Sequence, residues 1–366
     1  MKVQFSKKDT AAIKGIAILI MMLHHCFLSR SRFEGFSISF YPFSEAFIIQ
    51  AAEVGKCCVG IFTFLSAYGM TKSFLSADSR LDFTGTTAVK LTTRRYITLM
   101  SGFLPAYLFG FIGCFIFSPS PLSVYKGVKT FPLYMLIDML GIADLMKTPS
   151  LVGTWWYMGL ALTLILIFPL FLKAYKKCGL FLIPAVFCVI CALNLEVTTY
   201  SRWILLAPIG ILFADRNLLE KLKSWKVCSN AVIDFTVRFI SISLLLLGAV
   251  TYSSWNYGKL NFLTPVLDSF LTVMVIVWSY LFFTGLPVIR EILQFFGKHS
   301  MNIFLTHTFI RTKWFYEYTY SFGHFLLIIL VLLAESTLIS IVLEALKKYS
   351  GYNNLIQKII RSAAAD

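Results

Sequence analysis

A lysine and two histidines lie on one apolar segment near the N-terminus, "KGIAILIMMLHHCF", which runs from Lys14 to Phe27. Lys14 and His25 are eleven residues apart. At about 100° per helical residue they fall about 20° from alignment, with a rise of about 16 Å between them. His24 points about 80° away from Lys14. The spacing therefore predicts that Lys14 and His25, but not His24, share one face of a helix.

This pattern of residue types points to proton transfer beside a bound anion. A neutral imidazole in an apolar site can act as a base, and a cation at the end of the same helix can hold an anionic donor or cofactor. The residues alone are compatible with group transfer or with ion conduction along an internal path. The structural alternative is a core histidine that is hydrogen-bonded to a neighbouring helix.

The composition places this segment in a membrane protein. Of 366 residues, 58% are hydrophobic and 14% are charged, whereas soluble domains carry about 25% charged residues. The net charge of +15 is explained by basic cytoplasmic loops, so no nucleic-acid binding is predicted. The eight cysteines lie mostly in or beside apolar runs and are interpreted as small hydrophobes. No metal site is predicted.

Apolar segments predict an all-α, polytopic transmembrane helix bundle of about ten spans. The predicted spans are 12–29, 54–75, 97–117, 154–172, 179–194, 198–214, 231–251, 262–284, 299–315 and 323–346. With the N-terminus inside, the inner segments hold more than twice as many lysines and arginines as the outer ones. This bias predicts that both termini are cytoplasmic. We expect a multi-pass cell-membrane protein with one integral membrane domain, 1–350, and a short cytoplasmic tail, 351–366.

Ionisable residues inside the predicted spans are candidate functional residues, because a charge within the bilayer is costly. Asp234 and Arg238 are spaced to pair on one helix face, and the spacing of Glu53 and Lys56 suggests a similar pair. Glu335 lies deeper in its span and requires an interior partner.

Four stretches carry a resemblance to a known family. They are "KGIAILIMMLHH", "VGIFTFLSAYGM" (59–70), "GTWWYMGLALTLILIFPLF" (153–171) and "FGKHSMNIFLTHTFI" (296–310). Their order and the ten residues between Lys14 and His25 resemble the acyltransferase 3 family of integral membrane O-acyltransferases. Lys14 supplies the charge where that family usually has arginine. "RRYITLMSGFLPAY" (94–107) resembles the family's basic segment that leads to Pro-x-Tyr.

The resemblance implies transfer of an acyl group, commonly acetyl from acetyl-CoA, to a hydroxyl of a carbohydrate. The donor is expected from the cytoplasm and the acceptor at the outer face, with a polyprenyl-linked carbohydrate as one candidate. His25 and Lys14 are then the catalytic candidates, with His25 a general base or a transiently acylated group. The cations expected to bind CoA are Lys14, Lys90, Arg94 and Arg95. The candidates for substrate binding are Glu53, Trp155, Trp156, Tyr157 and His307.

Two alternatives from other functional classes stay open at this point. One is a transporter or flippase for a lipid-linked sugar, since intramembrane histidine and glutamate also serve proton-coupled transport. The other is a non-catalytic relative that keeps the fold as a partner or sensor. Some relatives carry an extracytoplasmic esterase-like domain, and none is expected here. The chain is therefore expected either to complete transfer itself or to pass acyl groups to a separate extracytoplasmic transferase.

Overall fold

The regular secondary structure is helical throughout the part of the chain that the structure describes. This computed structural model describes residues 4–77, 85–117, 119–192, 200–255 and 262–365. The predicted end of the span 179–194 and the predicted start of the span 198–214 lie partly outside these residues. Apart from the helices, a parallel bridge joins Ser39 to His324 within the described ranges.

The helices are named here in chain order. They are α1 (Lys7–Phe27), α2 (Glu45–Val54), α3 (Cys57–Ala77), α4 (Gly85–Phe117), α5 (Pro121–Val124), α6 (Phe131–Met139), α7 (Trp156–Cys178), α8 (Leu182–Ala192), α9 (Ser201–Ile204), α10 (Leu206–Asp215), α11 (Leu218–Ser224), α12 (Ala231–Trp255), α13 (Thr264–Trp278), α14 (Pro287–Phe309), α15 (Tyr316–Tyr320), α16 (Phe325–Tyr349) and α17 (Tyr352–Ala365). Segments of π-helix follow α13 at Ser279–Phe283 and α14 at Ile310–Trp314.

Local sequence explains where α1 begins. The Ser6 N–H donates to the Asp9 carboxylate at 2.9 Å, and the Asp9 N–H donates to the Ser6 hydroxyl at 3.2 Å. This capping box satisfies donors that the first helical turn leaves open. The Asp9 charge also complements the positive end of the helix dipole. The helix that carries Lys14 and His25 therefore has a defined start.

Seven segments of the described chain are long and apolar enough to cross a membrane. They are Lys7–Phe27, Glu45–Ala77, Gly85–Phe117, Gly153–Ala192, Ala231–Trp255, Thr264–Phe283 and Phe325–Tyr349. The prediction of an all-α, multi-pass membrane protein is confirmed. The count of ten and the cytoplasmic location of both termini stay predictions.

The segment Gly153–Ala192 contains a break between two helices. Its 40 residues would extend about 60 Å as one helix, twice the hydrocarbon thickness of a bilayer. Gly179 interrupts it with a φ of +58°, a conformation that glycine adopts without a steric penalty. The break separates α7 from α8, as the two predicted spans 154–172 and 179–194 require.

The chain forms two compact units. The first comprises Met1–Leu28, Ala46–Phe83 and Phe168–Lys298, and the second comprises Ser29–Glu45, Thr84–Ile167 and His299–Asp366. Lys14, His25 and Glu53 belong to the first unit, and the other predicted site residues belong to the second. The tail predicted at 351–366 is helical as α17, which packs against α4 within the second unit.

Candidate functional site

The predicted separation of the two histidines on α1 has a structural counterpart in the first unit. His24 is buried, and its Nδ1 lies 2.7 Å from the carbonyl oxygen of Ala52 at the end of α2. A carbonyl only accepts, so this ring nitrogen carries the proton. His25 is half-buried, with its ring 5.0 Å from that of His24 in an edge-to-face arrangement. His24 therefore holds α2 against α1, and His25 is the more accessible of the two histidines.

Lys14 and His25 are both half-buried on the same continuous helix. The side chains on the face between them are Ile18 and Met21, which are 0% and 1% exposed. To reach from Lys14 to His25, the acyl donor expected from the sequence would therefore have to pass beside these two side chains or displace them.

Close backbone contact fixes the position of Lys14. The adjacent Gly15 lies against α14 so tightly that a Cβ there would sit 2.0 Å from the Leu293 carbonyl oxygen. A Cβ on Gly297 of α14 would likewise sit 1.7 Å from the Ala11 carbonyl oxygen. Only glycine permits this approach at both positions, which gives the "KGIA" motif a packing role beside its lysine.

We expect Gly15→Ala to destabilise the protein by about 1–3 kcal/mol, because the new methyl group overpacks a backbone contact. Thermal unfolding of the purified protein in detergent measures this change. Gly248→Ala in α12 is the matched control, since a Cβ at Gly248 meets nothing within 4 Å. The control should be neutral or stabilising by up to about 1 kcal/mol. Equal unfolding midpoints for the two variants would show that α1 and α14 do not meet at Gly15.

A buried ion pair in the first unit was not predicted from sequence. The Arg202 Nε donates to Asp268 Oδ2, and the two residues are 7% and 5% exposed. Lys56, which is half-buried, lies close enough to both to interact electrostatically. The sequence shows Asp268 only as an acid in an apolar run, a pattern that does not identify its partner 66 residues away.

The predicted pair of Glu53 and Lys56 is wrong. No ion pair joins them in the described structure, although Asp234 and Arg238 do pair as predicted, with 3.4 Å between the carboxylate and guanidinium. The reason is local, because α2 ends at Val54 and α3 begins at Cys57. The turn between them removes the helical spacing on which the prediction depends, and Glu53 remains half-buried at the end of α2.

The basic cluster predicted to bind CoA lies on the first half of α4, in the second unit. Lys90 and Arg95 are half-buried, and Arg94 is exposed. Lys90 and Arg94 are four residues apart and share a face. The helix α17 packs on α4, with the Tyr352 hydroxyl donating to the Ser101 carbonyl at 3.2 Å. The C-terminal helix thus supports the helix that carries these cations.

The aromatic segment at the start of α7 contains one core residue, Trp155, and two residues that are more accessible. Trp155 is 3% exposed, and its indole N–H donates to the Leu305 carbonyl at 3.1 Å. Its ring packs edge-to-face with Phe103 and Phe309. Trp156 and Tyr157 are half-buried. Trp155 anchors the segment, and these two neighbours are the more available surface for a ligand.

His307 lies in the same part of the second unit and is fully buried. Its Nδ1 lies 2.8 Å from the Phe304 carbonyl, so Nδ1 carries the proton and Nε2 accepts from the Thr308 hydroxyl at 3.2 Å. Thr308 in turn lies 3.0 Å from Thr154. The ring therefore links α14 to the segment that begins α7, and its role in substrate binding stays a prediction.

Asp138 in α6 is a buried carboxyl group that the sequence did not single out. It accepts the Tyr125 hydroxyl and the Leu151 N–H, both at 2.8 Å, and Tyr125 lies 2.9 Å from the Tyr107 hydroxyl. Burial raises the pKa of Asp138 to about 6, while these hydrogen bonds and that from Ser150 oppose the rise. Its position in the apolar run "FPLYMLIDMLGIA" was the available signal.

Comparison with known proteins identifies the family. A family model described as an acyltransferase domain matches residues 11–345, nearly the whole chain. No curated protein and no solved structure matches the chain. The matched range includes both Lys14 and His25 on α1 and His307 on α14. The chain belongs to the acyltransferase 3 family of membrane proteins, as its motifs predicted.

Proposed function

We propose that this protein transfers an acyl group, with acetyl expected, from acyl-CoA on the cytoplasmic side to a hydroxyl of a cell-surface or lipid-linked carbohydrate. The observation that carries the proposal is the pairing of Lys14 and His25 on one continuous helix of a chain in an acyltransferase family. The distinct environment of His24, which is bonded to Ala52, leaves His25 as the candidate for chemistry.

In the proposed reaction, His25 either removes the proton of the acceptor hydroxyl or attacks the thioester and becomes transiently acylated. In the first case the hydroxyl oxygen forms a new ester bond, and the carbon–sulfur bond of the thioester breaks. The proton taken by His25 then leaves with the CoA thiolate. In the second case an imidazole nitrogen bonds to the acyl carbon as the carbon–sulfur bond breaks, and CoA leaves as a thiol with the imidazole proton. The hydroxyl oxygen then takes the acyl group as the carbon–nitrogen bond breaks, and the hydroxyl proton returns to the imidazole.

Binding of the donor is assigned to basic side chains. Phosphates form strong charge-assisted hydrogen bonds with lysine and arginine, and we propose that Lys14, Lys90, Arg94 and Arg95 hold those of CoA. For the acceptor we propose contacts with Trp156 and Tyr157, with Trp155 and His307 positioning that segment from the core. Glu53 is proposed as an additional acceptor contact.

The test of this function is the acyl content of cell-surface glycans in cells with and without the protein. We expect alkali-labile acyl esters to disappear when the protein is removed and to return when it is restored. Feeding isotopically labelled acetate should label the same esters. A change in the amount of surface glycan with its ester content unaltered would instead indicate transport and would contradict the proposal.

A further inference from the structure

A buried arginine outside the proposed reaction centre lies in an unusual backbone segment of the second unit. Arg311 is 2% exposed and belongs to the π-helical segment Ile310–Trp314, directly after α14. Short π-helical segments within or beside α-helices are frequent at functional sites. The charge pattern of the chain predicts that Arg311 lies toward the outer face, where the acceptor is expected.

The guanidinium of Arg311 has no protein counter-charge in the described part of the chain. Its Nε has no hydrogen-bond partner there, and no carboxylate forms an ion pair with it. Lys313, two residues further on, differs because its Nζ donates to the Leu151 carbonyl at 2.6 Å. Burial of an uncompensated charge costs several kcal/mol. Water can satisfy N–H donors but leaves the charge of Arg311 unbalanced.

Two buried hydroxyl groups lie on neighbouring elements. The π-helical segment packs against α15 and α16. On these helices Thr319 and Ser336 are fully buried. The Ser336 hydroxyl has no hydrogen-bond partner among the described residues, and the Thr319 hydroxyl interacts with the carboxylate of Glu335. Glu335, which precedes Ser336, likewise has one buried carboxylate oxygen without a partner, and it forms no ion pair with Arg311 in the described structure. A cation and two hydroxyl groups thus lie on three packed elements. Side chains of these types bind oxyanions.

We propose that Arg311, together with the hydroxyls of Thr319 and Ser336, forms a subsite for an anionic group of the acceptor, a phosphate or a carboxylate. The planar guanidinium can bind two oxygens of either group at once. The assignment of this anion to the acceptor rests on the proposed function. The existence of the anion site rests on the burial of these three side chains and on the missing partners of Arg311 and Ser336.

The test is anion-dependent thermal unfolding of the purified full-length protein in detergent. Inorganic phosphate and glucuronate are compared at matched ionic strength, with glucose as the neutral probe. Wild type, Arg311→Met and Lys313→Met are measured side by side. Because phosphate stabilises proteins generally by exclusion from their surface, the informative quantity is the difference between variants. Lys313→Met removes a nearby cation that already has a protein partner.

We expect at least one of the two anions to raise the unfolding midpoints of wild type and of Lys313→Met. This rise should exceed the rise in Arg311→Met by about 4 °C. The anion that does so distinguishes a phosphate-bearing from a carboxylate-bearing acceptor. Without anion, Arg311→Met should be at least as stable as wild type, because a buried unpaired charge has been removed. Equal anion shifts in all three proteins, or a loss of anion-free stability in Arg311→Met, would overturn the proposal.

An activity measurement separates this proposal from the proposed function. If the protein transfers acyl groups, Arg311→Met should raise the KM for the acceptor and leave the KM for acyl-CoA unchanged. If no acyl transfer occurs, the proposed function fails, but the anion-dependent stability difference still decides whether the subsite exists. An unchanged KM for the acceptor, with transfer intact, would show that the anion site does not serve the acceptor.

Discussion

Replacing His25 with alanine is expected to lower the rate of acyl transfer by about 100- to 10,000-fold, the usual contribution of a positioned general base or acid. His25 lies on the same helix face as Lys14 and is only partly buried, so truncation of its ring should leave the helix folded. The measurement is the initial rate of labelled acyl transfer in membranes that contain equal amounts of each protein. The thermal unfolding midpoint of each purified variant serves as the check on folding.

The neighbouring His24→Ala variant is the matched control for this prediction. It removes a hydrogen bond to the buried Ala52 carbonyl, and a buried group left without its partner costs about 1–3 kcal/mol. We therefore expect a lower unfolding midpoint with most of the activity of the folded protein retained. A folded but inactive His24→Ala protein, beside an active His25→Ala protein, would show that the two histidines have been assigned the wrong roles.

Asp268→Ala is expected to have the largest effect on stability, a loss of about 3–5 kcal/mol. The variant leaves the buried Arg202 without its counter-charge, and Lys56 nearby adds repulsion that Asp268 currently offsets. Loss of the carboxylate therefore concentrates two positive charges in one part of the first unit. Thermal or denaturant unfolding in detergent should report the loss, and yields of the folded protein should fall with it.

Two further variants make this second prediction specific. Replacing both partners, Arg202→Met with Asp268→Leu, should recover most of the stability, because apolar residues of similar volume often substitute well for a buried ion pair. Arg216→Met removes an exposed partner of Asp215 and should cost about 1 kcal/mol or less. If Asp268→Ala lowers the free energy of unfolding no more than Arg216→Met does, Asp268 does not balance the charges of Arg202 and Lys56.

Features that depend on neighbouring residues in the sequence were predictable. The long apolar segments predicted an all-helical membrane protein, and the i, i+4 spacing of Asp234 and Arg238 predicted their ion pair. The eleven-residue spacing of Lys14 and His25 required only that α1 be continuous, which it is. The family motifs predicted a relationship that the match over residues 11–345 confirms.

Features that depend on tertiary contacts were not predictable from those patterns. Arg202 and Asp268 meet across 66 residues of sequence, and no local period connects them. The pairing of Glu53 with Lys56 failed because a turn, not a continuous helix, separates them. Trp155 lies in the core, where its indole N–H donates to the Leu305 carbonyl 150 residues away, a contact that no local pattern indicates.

We propose that this chain moves an acyl group from acyl-CoA with His25 at the reacting centre. The most direct measurement uses purified wild-type and His25→Ala proteins reconstituted in vesicles, with acetyl-CoA labelled in its acetyl group and a carbohydrate acceptor. We predict label in the carbohydrate fraction with wild type and its loss with His25→Ala. Label transferred equally by both proteins, or unlabelled carbohydrate moved across the vesicle by wild type without ester formation, would contradict that claim.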